Sequence, residues 1–259
     1  MASRIALTRP ISASFVQCEL TYLERTPIDL DRARRQHASY EALLDSLGWE
    51  IVRLLVLDDQ PDAVFVEDAA IALEELAVVA PMGAASRAGE TQSVAEGLAR
   101  YRPVLALEAP ATLDGGDVLC IGRRVFVGLS RRTNAEAVEQ LGRLLAPYEY
   151  QVTGVTVHGA LHLKSACTYV GDETLLANTE WVDTKPFSRL DILRVHDAEA
   201  WGASVLFTGA EIVMPTGFPR TASMLDGRAY PVHEVELTEI RKAEGGPTCL
   251  SILLNADTR

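Results

Sequence analysis

Short apolar runs alternate with longer amphipathic stretches along the whole chain, and the alternation predicts a mixed α/β protein. Residues 5–8 read as a short buried strand. A loop follows from Pro10 to about Pro27 and holds Cys18, Leu20 and Tyr22. Asp29 then opens a helix on which Ala33, Tyr40, Leu44 and Leu47 recur near the helical period, and Gly48 ends it. Strand character resumes over 50–57, over 64–68 and over 76–80. Ser86 and Glu90 open a second helix, with Val94, Leu98 and Tyr101 on one face. A strand over 104–107 precedes Thr112-Leu113-Asp114-Gly115-Gly116-Asp117, which leads into strands over 118–121 and 124–127. Thr133 and Glu136 form a capping-box pattern, which predicts a helix from Asn134 to about Leu145.

The same unit returns in the second half. Strands over 163–170 and 174–177 meet at Gly171-Asp172, and strands over 204–207 and 211–214 meet at Gly209. Most strand pairs are followed by a polar or Pro/Gly stretch, a helix-like segment and a further strand. The recurrence, at roughly 45–50 residues, suits a strand–strand–helix–strand unit. Four such units fill the middle of the chain. A fifth is split, with residues 250–254 pairing with 5–8. A ring closed by its two termini also removes exposed sheet edges, which invite aggregation.

Composition narrows the function. A hydrophobic content of 48% over 259 residues supports a sizeable core. No linker or low-complexity tract divides the chain, so residues 1–259 are read as a single domain. A net charge of -12 argues against nucleic acid and is compatible with a cationic substrate. Neither a signal peptide nor a membrane span is legible. The four cysteines, Cys18, Cys120, Cys167 and Cys249, are far apart, which fits a reduced cytoplasm.

The candidate chemistry gathers at the start of apolar runs. In Glu244-Gly245-Gly246-Pro247-Thr248-Cys249 a tight turn delivers a single thiol to the mouth of a strand. His162 holds the same address before 163–170, and in a ring these addresses converge on the centre. Glu67 and Asp68 end the run 64–68 and, on a strand, point to opposite faces. Asp62 precedes them. In Asp114-Gly115-Gly116-Asp117 the paired glycines permit close backbone approach to a ligand, and carboxylates suit the planar donors of a guanidinium. Arg87 and Arg132 lie just past second strands, where a carboxylate-binding role competes with a solvated-surface one. Gly159 between His158 and His162 excludes the metalloprotease helix pattern, so His158 is read as surface.

The segments Asp62-Ala63-Val64-Phe65-Val66-Glu67-Asp68, Ser86-Arg87, Thr112 to Asp117, Arg132-Thr133-Asn134, Leu161-His162-Leu163-Lys164-Ser165 and Thr248-Cys249-Leu250-Ser251 occur in that order. Together they resemble the dimethylarginine dimethylaminohydrolases of the guanidino-group-modifying superfamily, over nearly the whole chain. The resemblance implies a five-bladed α/β propeller of the pentein type, closed by its N- and C-terminal strands. It implies Cys249 as nucleophile, His162 as general acid and base, and Asp68 and Asp114 holding the guanidinium, with Asp62 and Glu67 completing an acidic wall. It further implies that Arg87 and Arg132 bind the α-carboxylate, that Leu20 belongs to a lid, and that the Ala243 backbone touches substrate. The expected partner is a small cationic amino acid, with no cofactor, metal, nucleic acid or membrane; a homodimer is one option for the assembly. Arginine deiminase chemistry, an inactive arginine-binding module and a thiol–imidazole pair that captures zinc are the competing readings.

Overall fold

The computed structural model describes residues 3–256, and these form five three-stranded sheets arranged as blades. The first joins β1 (Ser3–Thr8), β2 (Glu50–Arg53) and β15 (Ile252–Ala256). β15 runs antiparallel to β1, with Leu7 opposite Ile252 and Ile5 opposite Leu254, so both ends of the chain build one blade. The second holds β3 (Ile71–Ala72), β4 (Ala77–Val79) and β5 (Val104–Ala106), and the third β6 (Val118–Ile121), β7 (Arg124–Leu129) and β8 (Gln151–Thr156). The fourth contains β9 (Cys167–Tyr169), β10 (Thr174–Ala177) and β11 (Asp191–Arg194). The fifth contains β12 (Leu206–Phe207), β13 (Ile212–Pro215) and β14 (Val232–Val235). In every blade the middle strand is antiparallel to one neighbour and parallel to the other, the parallel one reached by a crossover.

Apolar packing closes the ring. Leu7 of the first blade clusters with Ala77 of the second, Val78 of the second with Val125 of the third, and Phe126 of the third with Leu175 of the fourth. Leu176 of the fourth packs with Ile212 of the fifth, and Val213 of the fifth with Ala6 of the first. Neighbouring strand residues thus face opposite sides of a blade and serve different clusters, as the two-residue strand period requires. The ring expected from the sequence repeat is the one observed.

The crossovers differ. α1 (Leu30–Ser46) is capped by the Asp29 side chain, which accepts from Arg32 N at 2.9 Å, and Gly48 beyond it has φ +84°. α2 (Thr91–Ala99) follows a 3-10 turn over Ala85–Glu90, and α3 (Ala135–Leu145) is capped by Asn134, whose side chain accepts from Ala137 N. The predicted cap was Thr133. Asn134 supplies the better-placed oxygen, and Thr133 Oγ1 instead accepts from Asp114 N. In the fourth blade a short 3-10 turn over Lys185–Phe187 replaces a helix, while α5 (Pro219–Asp226) serves the fifth.

Two predicted strands are corrected. Residues 64–68 are not extended, because Val66–Ala69 forms a 3-10 turn ahead of β3. Residues 163–166 form the short helix α4 (Leu163–Ala166 is its full span), and only Cys167–Tyr169 is strand. In both places apolar composition reflects burial at the ring axis rather than strand geometry. Among the described residues no helix is long and apolar enough to cross a membrane.

Candidate active site

Each blade turns into one of its outer strands at the ring axis, and the candidate residues occupy those turns. Asp68 precedes β3, Asp114 precedes β6, His162 precedes β9 through α4, and Cys249 precedes β15. Arg87 and Arg132 follow β4 and β7. The turn at Asp68 also explains why adjacent acids part company. Asp68 faces Arg87 and His162, whereas Glu67 pairs with Lys164, its Oε1 lying 2.5 Å from Nζ.

The acids, a histidine and an arginine form one buried network. Asp68, Arg87, Asp114 and His162 are exposed by 3%, 4%, 0% and 3%. Arg87 donates from Nη1 to Asp68 Oδ2 at 2.7 Å, and from Nε and Nη2 to Glu90 at 3.0 and 2.7 Å. Its Nη2 also reaches the carbonyls of Asp62 and Phe65 at 3.3 Å. All three guanidinium nitrogens of Arg87 are therefore engaged, fixing Asp68 and Glu90 instead of presenting free donors to a ligand carboxylate. Asp114 accepts from Gly83 N at 2.8 Å, and its other oxygen lies 3.2 Å from His162 Nε2. Asp114 thus orients the imidazole.

Gly116 makes this proximity possible. A Cβ there would lie 2.6 Å from both Asp68 Oδ1 and His162 Nδ1, so the paired glycines admit neighbouring side chains as well as any ligand. Asp117 completes the turn, accepting from Leu163 N at 2.9 Å and from Ser130 Oγ at 2.6 Å. It ties the His162 turn to the third blade.

Burial would lower the His162 pKa, but Asp68, Asp114 and Asp117 outweigh it and hold the imidazole at about 9. The ring is an imidazolium at neutral pH. Burial pushes the Cys249 thiol up to about 12, and the charges of Asp68 and Glu67 add to the effect. The resting pair is therefore thiol and imidazolium. Cys249 itself is half-buried. Gly246 N points at its sulfur from 3.4 Å, and Thr248 Oγ1 lies 3.9 Å away. Behind this loop Tyr40 Oη donates to Pro247 O at 2.8 Å and pairs with Ser251 Oγ at 2.7 Å, so α1 props the thiol-bearing turn. The first regular residue of β15 is Ile252, so Cys249 sits on the turn itself, three positions before the strand mouth the sequence suggested.

The early loop is tied down by side chains from three other segments. Asp62 accepts from Glu19 N at 3.1 Å, so its carboxylate anchors the loop. Glu244, held at φ +59°, accepts from Thr21, Tyr22 and Leu23 N at 3.0, 2.6 and 2.7 Å with a single oxygen. Ala243 is buried beside it, and partly buried Leu20 packs on the same apolar cluster. Arg132 Nη2 donates to Glu19 Oε2 at 3.2 Å. Its Nη1 makes no hydrogen bond and lies 3.6 Å from Asp114 Oδ2.

Side-chain atoms of Asp68, Asp114 and His162 lie within 4.8 Å of one another, a set that could hold a metal ion. The imidazole is protonated between two carboxylates, so a metal must first compete with the proton for the ring nitrogen. The carboxylates suit a planar organic cation without that step. Lys164, Glu90, Asp117, Tyr40, Glu19 and Glu244 were not singled out from the sequence. Asp117, Lys164 and Glu244 carried a signal, through the motifs that contain them.

Fold and site together define a hydrolase on a five-bladed pentein propeller. The sequence pattern of the family described as N,N dimethylarginine dimethylhydrolase, eukaryotic, matches residues 20–193. An N(G),N(G)-dimethylarginine dimethylaminohydrolase of Streptomyces coelicolor is 38% identical over 256 residues, covering 98% of each chain. That of Pseudomonas aeruginosa is 33% identical over 226 residues, covering 86% of this chain and 89% of its own. A crystal structure of the Pseudomonas aeruginosa enzyme, a Cys-to-Ser mutant complexed with citrulline, superposes with a TM-score of 0.93 at 31% identity, over 98% of this chain and 100% of that one. The chain belongs to the dimethylarginine dimethylaminohydrolase family.

Proposed function

We propose that the protein hydrolyses Nω-methylated arginine, as asymmetric dimethylarginine or monomethylarginine, to citrulline and dimethylamine or methylamine, through a covalent Cys249 thiouronium. One observation carries this reading. Asp68 Oδ1 is a buried carboxylate oxygen without a hydrogen-bond partner, and its charge acts on the half-buried Cys249 thiol. A buried acceptor left open calls for a donor, and a guanidinium offers planar N–H groups that also place its carbon for attack.

The guanidinium charge opposes the acids that hold the thiol protonated, so substrate binding favours the thiolate. The released proton passes to solvent. The sulfur lone pair then forms the S–C bond and the guanidinium carbon becomes tetrahedral. His162, already an imidazolium, gives its proton to the methylated nitrogen, and the C–N bond breaks with release of the amine. The imidazole, now neutral, takes a proton from water as the oxygen attacks the thiouronium carbon. Collapse expels the sulfur, which takes the remaining hydroxyl proton and returns to the thiol as the C=O forms; citrulline leaves with the imidazolium already restored. Asp114 keeps the ring aligned throughout. The reaction needs no cofactor, and residues 1–259 serve as one catalytic domain in the cytoplasm.

The test is a citrulline assay with arginine, monomethylarginine and asymmetric dimethylarginine. Methylated substrates should turn over and Cys249→Ser should abolish turnover while still binding citrulline. Faster release from unmethylated arginine would overturn the reading in favour of an arginine deiminase.

A further inference from the structure

We propose that Glu19 determines specificity at the tail end of the substrate: its carboxylate occupies the seat on Arg132 and Ser86 that a substrate α-carboxylate would take. The inference deepens the proposed reaction and rests on it for the identity of the substrate. A cavity of about 480 Å³ opens beneath the early loop, lined by Glu19, Leu20, Gly83, Ser86, Arg131 and Arg132. Glu19 reaches across it and is bound at both oxygens, by Ser86 Oγ on one and by Arg132 Nη2 at 3.2 Å on the other. This is how an arginine and a hydroxyl hold a ligand carboxylate. Arg87 is committed to Asp68 and Glu90.

An α-carboxylate therefore reaches Arg132 by displacing Glu19. Displacement is feasible because the Glu19 side chain is 41% exposed and can turn to water, while Arg132, 9% exposed, keeps a carboxylate partner when an α-carboxylate takes that place. Arg131 stands at the rim with its guanidinium 6.0 Å from the Tyr22 ring, where it offers the displaced carboxylate a second cation. A guanidino compound lacking the carboxylate leaves Glu19 in place. The chain thus discriminates against α-carboxylates more than an uncharged residue at position 19 would.

Citrulline affinity of the wild type and of Glu19→Gln, measured by calorimetry, tests this without turnover. The variant should bind citrulline about tenfold tighter, the worth of one charge-assisted hydrogen bond no longer contested. The ratio of kcat/KM for dimethylarginine over its decarboxylated amine analogue should rise by a similar factor, and Glu19→Asp should fall between. Citrulline affinity that is unchanged, weakened or undetectable in both proteins overturns the proposal. Loss of affinity for both the amino acid and the amine would mean that Glu19 holds the ammonium instead. Failure of the wild type to release citrulline from methylarginines would remove the hydrolase reading, while the binding comparison would still decide the role of Glu19.

Discussion

Two neighbouring regions, a head around the buried His162 network and a tail at the early loop, are built on opposite terms. At the head, Asp68, Arg87, Glu90, Asp114 and His162 are buried and interlocked, and each holds another in place. At the tail, Glu19 and Arg132 meet at a loop whose acid is substantially exposed. Charges removed from water are costly to take apart, since whichever partner remains is left unpaired. A half-exposed acid such as Glu19 can turn to water, and a second carboxylate in its place keeps the buried Arg132 paired. A rigid head suits a reacting carbon that must be held near sulfur, and an exchangeable tail suits admission and release.

The largest effect should come from breaking the head. Arg87→Leu leaves Asp68 and Glu90 buried without their cation, and should destabilise the fold by about 3–5 kcal/mol as well as abolish turnover. Urea unfolding measures the first and the citrulline assay the second. Arg132→Leu should cost less stability and act mainly on KM, because Glu19 can turn to water. If the two substitutions destabilise equally, head and tail do not differ as described.

The His162 imidazolium gives the second test. Its folded pKa of about 9 lies above the ordinary value of 6.5. The stability it contributes is therefore fully present below about pH 6.5 and is lost as pH rises through about 9. Asp68 is shifted the other way: burial raises its pKa, but His162 and Arg87 prevail and lower it, so its contribution is lost only as pH falls through that lowered value. Stability and kcat/KM should both fall across an alkaline limb near pH 9, and His162→Asn should remove that limb from the stability profile. In the free enzyme, alkylation of Cys249 by iodoacetamide should titrate high, near pH 12, and move lower with a bound guanidinium ligand. A thiol already ionised at neutral pH would contradict the acidic head.

The sequence carried the ring because each blade repeats its own apolar pattern, and Leu7 with Ile252 or Phe126 with Leu175 need only that pattern to meet. It also marked Cys249 and His162 as candidates, and both lie on turns that lead toward an outer strand, one through α4 and the other three positions before β15. Partners set by cross-blade geometry were harder to read. Glu90 looks like the first turn of a helix, and nothing in its neighbourhood says that Arg87 will fold back onto it. Tyr40 lies on a helical stripe like any core aromatic, and its hydroxyl finds Pro247 O and Ser251 only once the first blade closes. The strand expected over 64–68 and the first part, 163–166, of that expected over 163–170 failed for a related reason. At the axis, burial selects apolar residues whatever the backbone does.

The smallest expected effect lies at the tail, in Glu244→Ala. One oxygen of Glu244 gathers the amides of Thr21, Tyr22 and Leu23, so the substitution leaves three donors to water. The left-handed backbone at 244 is equally strained for alanine and glutamate, so the change isolates the side chain. Global stability should fall by only about 1–2 kcal/mol, the net worth of a few hydrogen bonds at a partly exposed loop. Hydrogen exchange at those three amides should accelerate, while amides of β1 and β7 keep their protection. KM should rise and kcat change little, because the head proposed to perform the chemistry is untouched. Glu244→Gln, which keeps an acceptor, should retain most of the protection. Were Glu244→Ala to lower kcat as far as Arg87→Leu does, the loop would belong to the rigid machinery and the contrast between head and tail would be lost.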